Sequence, residues 1–313
     1  MKLSLVVPCY NEESNIALMY DAVKADFKDV TFDYEMVFVN DGSKDGTLGE
    51  LKKLLSGDVP VKIVNFSRNF GKESAMYAGL KESEGEYVTI IDADLQQRPS
   101  IALEMVSMLD SDPDTDCVAC YQEQRSESKL VVFLKENFYK IINKFADTEF
   151  VSGASDFRTF RRPMVNAIVE MGEYFRFSKG LFSWVGFNTK FIPYKADERA
   201  TGESKWSVRK LFSYAFGGII AFTTAPLKIA TALGAVSGLF SVIWLIAKLI
   251  ALCFGVPFTA AGWLIFLVTL LGGAILVCLG IIGEYLARVY IQTKGRPIYI
   301  AKNVFKNFGS EDK

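Results

Sequence analysis

Tyr87-Val88-Thr89-Ile90-Ile91-Asp92-Ala93-Asp94 is the stretch that decides the fold. An apolar, β-branched run breaks abruptly into two carboxylates one residue apart, the pattern of a buried strand that ends at a polar edge. Similar short runs stand at Leu3–Val7, Met36–Val39, Val61–Asn65 and Cys117–Cys120. Between them, Ile16–Ala25, Leu48–Leu55 and Ser74–Lys81 repeat their apolar residues at helical spacing. Strand alternating with helix predicts an α/β fold with a mainly parallel sheet. Ligands of such sheets bind beyond the carboxyl ends of the strands. Those ends carry Tyr10-Asn11-Glu12-Glu13, Asn40-Asp41-Gly42-Ser43 and Asp92-Ala93-Asp94, so three polar clusters are expected on one edge.

Composition narrows the chemistry. The 313 residues contain no histidine, which excludes imidazole bases, Ser/His and Cys/His nucleophiles and histidine-rich metal sites. Acid, base and metal work falls to carboxylates. Thirty-five basic residues nearly balance 36 acidic ones, which argues against a broad basic surface for nucleic acid. Cys117 and Cys120 have the spacing of half a zinc knuckle, but no second pair completes it and ordinary packing is expected. The N-terminal apolar run is too short for a signal peptide, so this region is expected to stay in the cytoplasm.

The second half reads differently. Ile229–Phe254 and Gly262–Leu286 each reach the roughly 20 apolar residues that cross a bilayer as a helix. They predict a C-terminal two-helix transmembrane hairpin. Gly255–Ala261 carries no charge, whereas Arg209, Lys210 and Lys228 precede the hairpin and Arg288, Lys294, Arg296, Lys302 and Lys306 follow it. Basic residues stay on the cytoplasmic side, so both termini are expected there, with multi-pass residence in the inner or plasma membrane. Glu284 and Arg288, one helical turn apart, are expected to pair. Leu130–Phe145 alternates apolar residues with Lys135, Lys140 and Lys144, the pattern of an amphipathic interface helix, and Val208–Phe222 is a second surface segment. The expected organisation is a catalytic domain over 1–207 with an amphipathic helix near 130–146, an interface helix over 208–228, the hairpin over 229–288 and a cytoplasmic tail over 289–313.

An acidic pair at a strand end is, alone, usually a solvated turn. Here it has company: Val7-Pro8-Cys9-Tyr10-Asn11-Glu12-Glu13, Val39-Asn40-Asp41-Gly42-Ser43-Lys44-Asp45-Gly46-Thr47, Ser67-Arg68-Asn69-Phe70-Gly71-Lys72 and Asp92-Ala93-Asp94-Leu95-Gln96. Gly153-Ala154-Ser155-Asp156-Phe157-Arg158, Arg199-Ala200-Thr201-Gly202-Glu203-Ser204-Lys205-Trp206 and Gly283-Glu284-Tyr285-Leu286 follow in order. Together these resemble the inverting family 2 glycosyltransferases of the GT-A fold, and within them the polyprenyl-phosphate sugar transferases such as the bactoprenol glucosyltransferases and dolichol-phosphate mannose synthases.

The resemblance implies roles for particular residues. Pro8, Tyr10, Glu12 and Asp41 match the nucleoside pocket, and Asp92 lies at the nucleotide-sugar and metal sites. Asp92, Asp94 and Gln96 match the ligands of Mg²⁺ or Mn²⁺. Lys205 and Arg199 would neutralise the departing diphosphate, Asp156 matches the catalytic carboxylate, and Arg125 is assigned to the acceptor phosphate. Gln96-Gln97-Arg98-Pro99 departs from the family's acid-and-proline continuation and adds a positive charge beside the metal.

The implied partners are a nucleotide sugar, a polyprenyl phosphate, the bilayer, a flippase and a downstream membrane glycosyltransferase, with no nucleic acid. The implied donors are UDP-glucose first, UDP-N-acetylglucosamine second and GDP-mannose third. Gly234, Ala235 and Gly238, or Gly272, Gly273 and Ala274, are small enough to support helix packing in a homo-oligomer. A processive polysaccharide synthase shares the nucleotide-binding half, but the chain lacks its Gln-x-x-Arg-Trp motif and has one hairpin. A non-catalytic nucleotide-sugar binding protein would have no need to keep Asp92, Asp94, Asp156 and Lys205 together.

Overall fold

A computed structural model describes residues 1–122, 154–195, 225–254 and 260–308. The chain forms two compact units, one of Met1–Ala215 with Pro297–Lys313 and one of Phe216–Arg296. In the first unit the order is β1 (Leu3–Cys9), α1 (Ile16–Asp26), β2 (Tyr34–Asn40), α2 (Thr47–Leu54), β3 (Val61–Phe66), α3 (Lys72–Glu82), β4 (Tyr87–Ile90) and α4 (Ser100–Ser111). It continues with β5 (Cys117–Gln122), β6 (Ala154–Arg161), α5 (Arg162–Glu170), α6 (Ser178–Trp184) and β7 (Thr189–Tyr194). The second unit holds α7 (Ala225–Cys253) and α8 (Ala260–Thr293), and β8 (Ala301–Lys306) returns to the first.

The strands make one sheet in the order β7-β5-β6-β4-β1-β2-β3-β8. Strands β4, β1, β2 and β3 run parallel, as the alternation predicts. Their apolar residues fill both faces, because a parallel sheet wrapped by helices is buried on both sides. Leu3, Leu5 and Val7 pack with Ile16, Met19 and Val23 of α1, Leu51 of α2 and Met105 and Leu109 of α4. Val6, Val37, Val39 and Val64 point the other way, against Ala75, Met76 and Ala78 of α3 and Met164, Val165 and Ile168 of α5. Cys120 lies in the first layer and Cys117 in the second, on opposite faces of β5, so the two thiols cannot share one metal. Burial pushes them up to about 12 and about 11 respectively.

Two strands lie outside the simple alternation. β6 enters between β4 and β5 and is antiparallel to both. β8 lies within the stretch read as tail, yet pairs antiparallel with β3 and closes that side of the sheet. Asn307 secures its end, accepting from the Val61 N–H at 2.7 Å and donating to the Val59 carbonyl at 3.0 Å.

In the second unit α7 has 29 residues and α8 has 34, about 43 and 51 Å at 1.5 Å per residue. They run antiparallel: Trp244 meets Trp263 with ring centroids 6.1 Å apart, and the Cys278 thiol reaches the Ala230 carbonyl at 3.4 Å. Glu284 and Arg288 approach to 3.6 Å, as their spacing predicts. Among the described residues, Leu270–Thr293 is long and apolar enough to cross a membrane, with a mean hydropathy of 2.0. Large apolar side chains face outward along both helices, among them Leu239, Ile243, Ile246, Leu264, Val268 and Leu276, which is 71% exposed. The segments near 130–146 and over 208–222 lie outside the described residues.

Gly79 shows how tightly α3 is seated on the sheet, since a Cβ there would overlap Val6 Cγ1. Alanine would gain about 1 kcal/mol of helix propensity, but overpacking a core contact costs about 1–3 kcal/mol. Gly79→Ala is therefore expected to lower stability by up to about 2 kcal/mol in thermal or denaturant unfolding. Adding Val6→Ala should cost less in the Gly79→Ala background than in the wild type, as a double-mutant cycle would register.

Candidate active site

The first strand end is laced to the second. Asn11, at φ 54°, accepts the Lys44 N–H at 2.8 Å through its side chain while its own N–H donates to Ser43 Oγ at 3.0 Å. The Glu12 N–H donates to Thr47 Oγ1 at 2.9 Å, and Glu13 accepts from the Gly46 N–H at 2.9 Å. Polar residues beyond β1 and β2 thus supply the hydrogen bonds that an irregular backbone cannot make with itself. Pro8, Tyr10, Glu12 and Asp41 come together at this corner: Pro8 is level with Val39, and the Asp41 N–H donates to the Cys9 carbonyl at 2.9 Å. Glu12 also accepts from Asn15 Nδ2 at 2.7 Å.

Asp41 has a use that its sequence context did not disclose. Its carboxylate is buried, 3% exposed, and accepts the Phe70 N–H at 2.6 Å and the Gly71 N–H at 3.0 Å. It thereby fastens the loop before α3 to the end of β2. Neighbouring Gly42 sits at φ 61° and a Cβ there would overlap the Arg68 backbone, so only glycine allows the approach. Burial pushes Asp41 up to about 6, against the opposing pull of the Phe70 and Gly71 N–H groups and the Arg68 charge.

The third strand end carries the acidic pair. The Asp92 N–H donates to Gln97 Oε1 at 3.0 Å, and Asp94 Oδ1 accepts the Gln96 N–H at 3.2 Å. Leu95 between them is left-handed, at φ 59°. Buried Gln97, to which the sequence reading gave no role, thus holds the turn.

The antiparallel register of β4 and β6 brings the acidic groups together. Ile90 pairs with Arg158, and two further steps along each strand bring Asp92 level with Asp156. Lys72, first residue of α3, sits between them: its Nζ is 2.7 Å from Asp92 Oδ1 and 3.1 Å from Asp156 Oδ2. Burial alone would raise Asp156, but Lys72 first and then Lys179 and Arg158 hold it down at about 2. Burial works against the Lys72 charge, but Asp92 and Asp156 outweigh it and raise its pKa. Asp156 and Lys72 are therefore both ionised at neutral pH. Lys179 donates to the Ala154 carbonyl at 2.8 Å, at the start of β6.

Lys72, Gln97 and Lys179 are the site residues that the sequence reading missed. Lys72 stands in a quoted motif, Ser67–Lys72, and its signal was position: the one cation of that motif that opens the helix after the third strand. Arg125, Arg199 and Lys205 lie outside the described residues.

A hard divalent ion suits Asp92 and Asp94. A cation already stands against Asp92 in the form of the Lys72 ammonium, and the donors are oxygens. Among the described residues no three of His, Cys, Asp and Glu form a cage. Such an ion would draw on two carboxylates and the Gln96 amide oxygen, leaving positions for phosphate oxygens.

Asp41 carries a pH dependence. Its folded value of about 6 exceeds its ordinary 3.8, so its contribution to stability is full below about 3.8 and is lost as pH rises through about 6. Stability measured between pH 4 and 7 should show this fall, and Asp41→Asn should flatten it.

Residues 4–169 match the family model described as glycosyl transferase family 2. The chain is 39% identical to the glycosyltransferase CsbB of Bacillus subtilis over 96% of its length and 91% of that protein's. It is 37% identical to the bactoprenol glucosyl transferase of Shigella phage SfV, over 97% of this chain and 99% of that one. The prophage bactoprenol glucosyl transferase homolog of Escherichia coli K12 is 36% identical, with 98% and 100% covered. Solved structures align more distantly: the Mycobacterium tuberculosis glucosyl-3-phosphoglycerate synthase with Mn²⁺, UDP-glucose and phosphoglyceric acid has 18% identity and a TM-score of 0.47, covering 70% of this chain and 77% of that one. With the family model matching more than half of its residues and close to two-fifths identity across nearly its whole length, the chain belongs to glycosyl transferase family 2, and it is a glycosyltransferase.

Proposed function

We propose that the enzyme transfers a single sugar from a nucleotide sugar, UDP-glucose before UDP-N-acetylglucosamine, to undecaprenyl or another polyprenyl phosphate with inversion at the anomeric carbon. The observation that carries this reading is the cluster of Asp92, Lys72 and Asp156 at the carboxyl edge of the sheet. Two full-length relatives named for bactoprenol glucosyl transfer support the acceptor. The outward-facing apolar residues of α7 and α8 support residence in a membrane. In this reading both helices span it, and the basic residues that flank them keep the catalytic unit and both termini in the cytoplasm. A lipid acceptor explains such an anchor, since drawing its tail into water would cost about 0.8 kcal/mol per CH₂.

In the displacement, an acceptor phosphate oxygen forms the new bond to the anomeric carbon. The donor's bond to diphosphate breaks, and the nucleoside diphosphate leaves with the electron pair. Mg²⁺ or Mn²⁺ held by Asp92, Asp94 and Gln96 would supply positive charge to that leaving group. Pro8, Tyr10, Glu12 and the loop fixed by Asp41 would receive the nucleoside. Lys205 and Arg199 would add charge beside the diphosphate, and Arg125 would meet the acceptor.

A phosphate monoester has its second pKa near 6 and arrives mostly as the dianion, so little proton removal is required. Asp156, at about 2, is a weak base. It serves better to orient sugar and acceptor and to stabilise developing positive charge at the anomeric centre.

The test incubates purified protein with undecaprenyl phosphate, Mg²⁺ or Mn²⁺ and a panel of nucleotide sugars, with lipid products read by mass spectrometry. One hexose added from UDP-glucose, lost with EDTA or in Asp94→Asn, is expected. Several sugars added in succession, or no product with any donor, would overturn the reading.

A further inference from the structure

We propose that Lys72 is a resident counter-ion of the acidic site, and that its release couples divalent-ion binding to diphosphate binding. This rests on the donor and metal reading above and goes beyond it by assigning Lys72 and an order of events.

Asp92 and Asp156 face each other across β4 and β6, and the Lys72 ammonium is the group that bridges them. One oxygen of Asp156 is buried with no hydrogen-bond partner, so its charge is balanced chiefly by cations. Without Lys72 the two carboxylates would repel at short range. The lysine therefore keeps the pair assembled while no other cation is present.

The same position makes it an obstacle. A divalent ion approaching Asp92 meets an ammonium 2.7 Å from one of that residue's oxygens, and like charges raise the cost of entry. Displaced without an anion, Lys72 would lose two ionic partners at once. A diphosphate arriving with the ion supplies the missing anion.

The backbone that carries Lys72 is hydrogen-bonded on several sides. The Ala75 N–H donates to the Gly71 carbonyl at 3.1 Å, and Ser74 Oγ donates to the Phe70 carbonyl at 3.1 Å. Glu73, pointing elsewhere, accepts the Ser178 N–H at 2.9 Å. Asp41 holds Phe70 and Gly71 from the other side. Adjustment is left to the flexible four-carbon stem of Lys72, whose side chain is 39% exposed. Metal and diphosphate each favour the displaced lysine, so each strengthens the binding of the other by the same factor.

The test measures free Mn²⁺ by electron paramagnetic resonance during titration of the full-length protein in detergent, with and without UDP. In the wild type, UDP is expected to tighten Mn²⁺ binding about tenfold or more, within the usual range of coupling. Lys72→Met should bind Mn²⁺ alone more tightly than the wild type and show a smaller UDP effect, the remainder being direct contact between the diphosphate and the ion, while Lys72→Arg retains the full effect. Lys72→Met should also melt at a lower temperature than the wild type and recover with Mn²⁺, a response that separates counter-ion loss from misfolding. Equal Mn²⁺ affinity with and without UDP in the wild type, or unchanged coupling in Lys72→Met, would overturn the inference and leave the donor reading standing. No Mn²⁺ binding to the wild type even with UDP would overturn both.

Discussion

The ammonium of Lys72 between the carboxylates of Asp92 and Asp156 is the interaction on which the site's geometry depends. It joins three separate pieces of chain: the end of β4, the start of β6 and the first residue of α3. Each piece is brought there by packing. α3 is pressed against Val6 through Gly79, β6 is held in register beside β4, and the turn after β4 is closed by Gln97. The charges then select one arrangement among those that the packing permits. Opposite charges that are partly withdrawn from water interact more strongly than exposed pairs, and each would be costly to leave alone.

Two buried carboxylates illustrate how environment divides the labour. Asp41 meets mainly backbone N–H groups and is pushed up to about 6, whereas Asp156 meets Lys72, Lys179 and Arg158 and is held at about 2. The first shapes a loop and the second keeps a permanent charge at the carboxyl edge of the parallel strands. Sequence alone presents both as an aspartate just beyond or just inside a strand. Their difference arises from what the other segments bring beside them.

The central parallel strands were legible because both faces of each are buried and their runs are continuously apolar. Asp92 and Asp94 stood out as carboxylates at the end of an apolar strand, whereas Asp156 was singled out by the resemblance of its motif and by no local pattern. β8 was not, since Ala301-Lys302-Asn303-Val304-Phe305-Lys306 is half polar and pairs with a strand more than 200 residues earlier. Lys72 was quoted without a role because its meaning depends on the β4–β6 register, which no local pattern encodes. The fate of Asp41 was hidden for a similar reason: its partners are backbone groups, and these have no sequence signature.

The long helices follow a simpler rule, in which length and outward-facing apolar residues speak directly and Glu284 meets Arg288 where spacing alone put it. The central claim concerns the other unit, namely that sugar transfer takes place against the Asp156 carboxylate. The most direct measurement is single-turnover transfer by Asp156→Asn, with nucleotide-sugar affinity determined on the same preparation. The account predicts donor affinity within about threefold of the wild type and transfer slowed about 100-fold or more, the scale of losing one preorganised electrostatic group. Transfer within a few-fold of the wild-type rate would contradict it.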